Sequence, residues 1–236
     1  MTIYQLPEDE YWFPDPTSIP PEERYPDGLY AVGGDLHIER LKEAYAQGIF
    51  PWSAITNDEL HWYCPMDRFV IFPEEIHISH SMRTLLNKGK YLTTMDKDFD
   101  GVIRNCGKLR IHEEGAWLGD DIIKAYTKLH EEGIAHSVEV WELVATEDAY
   151  GIPDNMELTL VGGLYGVLFN KTFIGESMFS LVPSGSKIAL IALAQSMADN
   201  GFHMIDCQVE TPHLKSMGGR HITYDEYMEI LYRVDA

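Results

Sequence analysis

The chain has 236 residues, 45% hydrophobic and 11% aromatic, enough to bury the core of one large domain or of a small one joined to a medium one, so disorder is not expected. A formal net charge of −20 argues against indiscriminate binding to nucleic acid or to an anionic membrane. The longest apolar run, Ile188 to Ala194, is far below the roughly 18 residues of a membrane span, and the first residues, Met-Thr-Ile-Tyr-Gln-Leu, lack the basic start and apolar stretch of a signal peptide.

Residues 1 to 28 are rich in proline and acidic residues, which predicts extended, turn-rich structure. Gly33-Gly34 suits a tight turn, and Asp35 is the expected N-cap of a helix from Ile38 to Gln47 that Gly48 ends. Ile49-Phe50-Pro51-Trp52 leaves that helix as an aromatic knot, and a first small domain is expected to close near residue 66. Beyond it the spacing predicts a short strand at Val70 to Phe72 and helices at Ser81 to Lys88, Phe99 to Cys106 and Asp120 to Glu132. Strands follow at Ser137 to Leu143, Thr159 to Val167 and Thr172 to Ser180, with Ala145 to Glu157 read as a long hairpin loop and Asn170-Lys171 as a tight one. Ser184 or Ser186 is expected to cap a helix from Lys187 to Asn200, apolar on most faces and therefore buried. A strand at His203 to Val209 completes the pattern. The order implies an α/β (α+β) fold, a sheet packed with helices, divided at residues 1–66 and 67–236.

The charge is uneven. From Ser81 to Arg110 seven basic residues face three acidic ones, a local balance of +4. A solvated helix face would explain this; a phosphate-contacting patch made of Arg83, Lys88, Lys90, Arg104, Lys108 and Arg110 is the sharper reading. The three cysteines, Cys64, Cys106 and Cys207, share no metal-ligand spacing, so a reducing cytoplasm is the simplest home. His77 and His80 lack the partners of a metal site, so none is expected. His136 and Glu139 read as buried hydrogen-bonding groups. Lys187 follows a Ser-Gly-Ser that lacks the spacing of a phosphate loop, and is either a surface lysine or a phosphate contact.

The segments that suggest chemistry are Gly175-Glu-Ser-Met-Phe-Ser180 and Ile205-Asp-Cys-Gln-Val209. In a strand, Asp206 and Gln208 would point one way and Ile205 and Cys207 the other. A carboxylate and a carboxamide aimed at an apolar pocket suit proton handling beside a hydrophobic substrate; an edge strand with its polar face in solvent is the bland alternative.

In chain order, Ala31-Val-Gly-Gly-Asp-Leu36, Gly48-Ile-Phe-Pro-Trp52, Gly115-Ala-Trp-Leu118, Ala135-His-Ser-Val-Glu-Val-Trp141, Leu160-Val-Gly-Gly-Leu-Tyr-Gly-Val167 and the two segments above resemble the leucyl/phenylalanyl-tRNA–protein transferase family. The resemblance runs from Phe13 to about Tyr227. It departs from the family's usual Trp-Trp-Ser-Pro-x-x-Arg at Trp62-Tyr-Cys-Pro-Met-Asp-Arg68, and the 145–157 loop is longer than usual.

The resemblance implies a small N-terminal domain and a C-terminal domain like that of the acyl-CoA N-acyltransferases (GNAT-like). It implies transfer of Leu or Phe, and Met less well, from aminoacyl-tRNA to the α-amine of proteins beginning with Arg or Lys, which marks them for degradation, with no cofactor or metal. Gln208 would hold the attacking amine, Asp206 support the proton relay, and Glu176 fix the aminoacyl group. The pocket would be Leu164, Phe173, Met178, Leu190, Leu193 and Ile205, with Trp52 and Trp117 holding the terminal adenosine; ordinary core and packing roles are the alternatives for these apolar and aromatic positions. A monomer is expected. An acyl-CoA N-acyltransferase is the rival reading, though no Arg/Gln-x-x-Gly-x-Gly/Ala loop precedes the buried helix, and a non-catalytic tRNA- or peptide-binding module is another.

Overall fold

The computed structural model describes residues 1–52, 59–110, 119–147 and 153–234. Strands β1 (Tyr4–Leu6), β2 (Leu29–Gly33), β3 (Phe50–Pro51) and β4 (His61–Tyr63) form a mixed four-stranded sheet in the order β1-β2-β4-β3, with only β1 and β2 parallel. Helix α1 (Ile38–Ala46) lies between β2 and β3 in the chain. Its N-cap is His37, whose Nδ1 accepts from Glu39 N–H, and not Asp35. Asp35 instead accepts from His37 N–H and pairs with the fully buried Arg40, a stronger claim on its carboxylate than one amide. Gly48 ends the helix at φ +68°, and a Cβ there would press on the Tyr227 ring.

The second sheet is built from β5 (Asp67–Ile71), β6 (Tyr91–Met95), β7 (Ala135–Glu147), β8 (Pro153–Phe169), β9 (Thr172–Ser180), β10 (Met204–Asp206) and β11 (Arg220–Thr223), in the order β11-β5-β10-β9-β8-β7-β6. All neighbours are antiparallel except β9 and β10, which are parallel and joined through α5 (Gly185–Asp199). The remaining helices are α2 (His80–Leu86), α3 (Phe99–Arg110), α4 (Asp120–Glu131), α6 (Pro212–Ser216) and α7 (Tyr224–Leu231). The fold is thus mixed α/β with two mixed sheets. The 145–157 segment differs from the expected loop, because β7 and β8 continue pairing through Ala145↔Met156 and Thr146↔Asn155, where strand pairing gives backbone groups their partners. Residues 148–152 lie outside the described part.

The large sheet has two unlike faces. Phe69, Ile71, Ile205, Phe173 and Leu164 pack beneath α5, whose Ile188, Leu190, Ile191 and Leu193 are buried as its apolar periodicity requires. Helix α5 begins close against β8: a Cβ on Gly162 would come within 2.8 Å of Gly185 Cα, so only glycine admits that approach. Ser184 occupies the N-cap position at φ +71° but makes no side-chain cap bond. The Ser180 hydroxyl takes Ser186 N–H instead, so neither Ser184 nor Ser186 caps by its own side chain. On the opposite face Tyr165, Val167, Ile174 and Phe179 share one continuous core with α1, α3, α4 and the small sheet.

Candidate active site

The parallel pairing of β9 and β10 stops at Ile174↔Asp206. Strand β9 continues to Ser180, whereas the chain after Asp206 turns toward β5, where Cys207 N–H bonds the Phe69 carbonyl at 2.9 Å. A cavity of about 340 Å³ opens where the two strands part. Leu164, Phe173, Met178, Leu190, Leu193 and Ile205 line it, together with Glu176, Asp206, Gln208 and Trp52. Its size falls in the range of small-molecule sites, and its wall is apolar with few polar groups.

Glu176 reaches this cavity through a β-bulge. Tyr165 and Gly166 on β8 pair with Ser177 and Gly175, leaving Glu176 as the extra residue. The bulge shifts the alternation: Ile174 faces the shared core before it and Phe179 after it. The Glu176 carboxylate accepts from Tyr45 of α1 at 2.7 Å, and the Tyr45 and Tyr126 hydroxyls lie 2.5 Å apart. Burial pushes its carboxyl up to about 7, although the bonds from Tyr45 and Tyr126 pull the other way. Burial likewise raises both tyrosines well above their usual range. One carboxyl therefore ties α1, α4 and β9 together, and burial makes it far more basic than an ordinary carboxylate.

Asp206 is fully buried and saturated. Arg68 Nε and Nη2 bond its two oxygens at 2.8 and 2.6 Å, Tyr227 donates to Oδ2 at 3.0 Å, and Gln208 N–H donates to Oδ1 at 2.8 Å. The guanidinium is held between the Phe50 and Tyr227 rings, 4.8 and 4.7 Å from their centres, and donates its third bond to the Gly48 carbonyl. Burial alone would lower the Arg68 pKa, but the adjacent Asp206 charge overrides it and raises it.

Gln208 is not in a strand. β10 ends at Asp206, so the alternation expected over His203 to Val209 stops there. Gln208 has φ +66° and is the centre of a tight turn closed by Val209 N–H to the Cys207 carbonyl at 2.7 Å. Such a conformation costs a non-glycine residue on the order of 1–2 kcal/mol. The Asp206 bond to the Gln208 amide holds it in place, so both residues line one cavity by a turn and not by strand periodicity. The Gln208 Nε2 is buried without a partner.

Trp52 is 37% exposed, tilted against Tyr63, and stands between this cavity and a larger one of about 810 Å³ that shares Trp52 and Val209. The larger cavity is lined by Ile19, Leu29 and Met66, by Asp27, Asp67 and Glu210, and by Arg24; Glu210 also pairs with Lys215 at 2.9 Å. His221 lies 3.0 Å from both Asp67 and Glu210. Trp117 lies outside the described residues, as does the side chain of Arg110.

The basic segment is spread over three elements: Arg83 on α2, Lys88 and Lys90 just before the edge strand β6, and Arg104 and Lys108 on α3, which packs on β8 and β9. Arg83, Lys88, Lys90, Arg104 and Lys108 are exposed. Lys90 is paired with Glu142 and Arg104 with Asp100, so part of the local positive charge is already answered. Lys187 is half-buried in the first turn of α5. Glu139 is buried and accepts from Thr94, Ser137 and the amides of Lys97 and Asp98, and His136 bonds Asp96: both hold the turn between β6 and α3.

Sequence reasoning passed over Tyr45, Tyr126, Arg68 and Tyr227. Arg68 carried a usable signal, an arginine before the apolar run Phe69 to Phe72, where a buried cation needs an acid partner. The tyrosines carried none, because each meets its partner across more than twenty residues of chain.

The family model described as Leucyl/phenylalanyl-tRNA protein transferase matches residues 70–232, and that of its N-terminal domain matches residues 34–66. Curated leucyl/phenylalanyl-tRNA–protein transferases are similar along nearly the whole chain. That of Pectobacterium carotovorum subsp. carotovorum (strain PC1) is 42% identical over 98% of this chain and 90% of its own length. That of Nitrosomonas eutropha is 44% identical over 91% and 87%, and that of Flavobacterium johnsoniae 43% over 94% and 98%. A solved structure, "The structure of L-PGS from Bacillus licheniformis", superposes with a TM-score of 0.38 at 12% identity over 78% of this chain and 55% of that one, too distant to carry an argument.

Proposed function

The chain belongs to the leucyl/phenylalanyl-tRNA–protein transferase family and is an aminoacyltransferase, and from that premise we propose how its cavity performs the transfer and on what. The donor is Leu or Phe, and less readily Met, esterified to tRNA; the acceptor is the α-amine of a protein that begins with Arg or Lys, and the product is an N-terminal mark for degradation in the cytoplasm. The donor side chain occupies the 340 Å³ cavity, whose leucine, phenylalanine and methionine walls adapt to unbranched and aromatic shapes alike. Trp52 stacks on the terminal adenosine, with Trp117 as its expected companion.

The reaction is aminolysis of an activated ester, so the barrier lies in positioning and proton transfer. The acceptor nitrogen gives up a proton, attacks the ester carbonyl carbon, and displaces the ribose oxygen, which leaves protonated. Gln208 holds the attacking nitrogen by its side-chain carbonyl. Asp206, already accepting four hydrogen bonds, supports the relay by fixing Gln208, not by taking the proton itself. Glu176 fixes the aminoacyl group from the bulge.

The second cavity supports the acceptor reading. It adjoins Gln208 through Val209, and its apolar lining, with three carboxylates (Asp27, Asp67 and Glu210) against the one guanidinium of Arg24, suits a long aliphatic stem ending in a cation. We further propose that residues 1–66 and 67–236 act as two domains of a monomer and that the large sheet is GNAT-like, a reading favoured by the parallel strand pair that parts at the cavity. The basic residues of α2, the turn before β6 and α3 meet the tRNA backbone.

The observation that carries this proposal is the strained turn at Gln208, pinned by Asp206, whose carboxamide lines an apolar cavity with its Nε2 unpartnered. Labelled Leu-tRNA with a protein beginning in Arg tests it, with RNase and acetyl-CoA as controls. Label transfer that RNase abolishes supports it; acetylation from acetyl-CoA, or binding without transfer, overturns it.

A further inference from the structure

Ester aminolysis passes through a tetrahedral carbon whose former carbonyl oxygen carries negative charge, and an efficient site keeps donors waiting at that oxygen. Gln208 Oε1 is an acceptor, Asp206 is saturated by four hydrogen bonds, and the Glu176 carboxyl is engaged by Tyr45, so none of them serves it. The cavity also holds donors without work. Ser177 is only 7% exposed, lines the cavity, and its hydroxyl has no hydrogen-bond partner; the same holds for Gln208 Nε2. Buried polar groups are nearly always paired, so an idle hydroxyl in a reactant cavity calls for a reactant atom.

The contrast within one motif is sharp. Ser180, three residues on, donates to the Val182 carbonyl and accepts from Ser186 N–H, which fixes the entry to α5. Ser177 has no such duty. Its place follows from the bulge, which leaves Glu176 without a strand partner and sets Ser177 opposite Tyr165, on the stretch of β9 beyond its last pairing with β10, in the same cavity lining as Gln208. The unpartnered Thr172 hydroxyl, by comparison, is away from the cavity lining.

We infer that Ser177 Oγ–H and Gln208 Nε2–H together bind the carbonyl oxygen of the aminoacyl ester, which makes Ser177 a catalytic residue of the transfer. The inference rests on the transfer reading above. As the acceptor nitrogen bonds the carbonyl carbon, the C=O π pair moves onto oxygen and is held by both donors. When that pair returns, the bond from carbon to the ribose oxygen breaks, and the ribose oxygen leaves with the proton surrendered by the nitrogen. One carboxamide can serve both atoms, since its oxygen and nitrogen are spaced much like the nitrogen and oxygen on a single tetrahedral carbon.

The test compares wild type with Ser177→Ala in single-turnover transfer, using Leu-tRNA and the same tRNA carrying 4-methylpentanoate, which lacks the α-amine. The expected result is a rate loss of about 10²-fold, as for removal of one oxyanion donor, equal on both donors. Donor Kd and thermal unfolding should stay as in wild type. An active wild type with a loss under about threefold overturns the inference alone, as does a loss confined to the amine-bearing donor or to Kd. A wild type that transfers nothing overturns the transfer reading with it.

Discussion

Arg68 and Asp206 form a two-point ion pair, Nε to Oδ1 at 2.8 Å and Nη2 to Oδ2 at 2.6 Å, with both side chains withdrawn from water. The pair joins the β5 and β10 ends at the point where the reactive turn begins, and through Gly48 and Phe50 it also grips the small sheet. A buried pair of this kind is a poor source of net stability, but removing one partner strands the other charge. Asp206→Asn should therefore lower stability by about 3–5 kcal/mol, read as a fall in the urea midpoint. A change below about 1 kcal/mol would show that the pair does not hold this junction.

Glu176 gives the fold a pH dependence of definite sign. Its carboxyl ionises near 4.5 when unfolded and at about 7 when folded, chiefly because burial disfavours the charge. Between those values the native state holds a proton that the unfolded chain has released, so stability should fall as pH rises from about 4.5 to about 7 and level off above. Glu176→Gln should flatten that part of the curve. Urea midpoints across the window check this, and an unchanged slope in the variant would assign it to another group.

Leu193 projects from α5 into the donor cavity. Leu193→Phe should shrink the space and penalise Phe more than Leu, by roughly 1–3 kcal/mol of discrimination, or about 10- to 200-fold in the ratio of kcat/KM. Competition between Phe-tRNA and Leu-tRNA reads the ratio directly. No shift would place the donor side chain elsewhere.

The acidic lining of the larger cavity makes a prediction about acceptors. Asp67→Asn with Glu210→Gln should weaken transfer to peptides beginning with Arg by several-fold, since exposed ion pairs are worth about 0.2–1 kcal/mol each. Peptides beginning with an uncharged residue should respond little. Equal loss on both peptide classes would mean that these carboxylates do not read the side chain.

Much of this fold is legible from local periodicity, and the site's mechanics are not. The bounds of β9 coincide with the expected Thr172 to Ser180, and α5 is buried as a helix apolar on most faces must be. The β7–β8 arm is not legible because residues 145–157 read locally as a long hairpin loop, whereas pairing across the arm decides their structure. Strand alternation predicts a shared face for Asp206 and Gln208, but the strand ends between them; a side-chain-to-backbone bond and a left-handed residue bring them to one cavity instead. No periodicity announces a bulge at Glu176, nor the meeting of Tyr45 with Tyr126 across 81 residues. Those contacts are set by how the sheets stack, which a local window does not contain.

The claim beneath all of this is that Gln208, held in its strained turn, touches the attacking amine and does not serve tRNA binding. Measuring single-turnover transfer and aminoacyl-tRNA Kd side by side for Gln208→Ala tests it most directly. The account predicts a rate loss of at least about 10²-fold, the scale of a positioned proton-handling group, with Kd unchanged. Transfer at the wild-type rate, or a loss that tracks weakened binding, would contradict it.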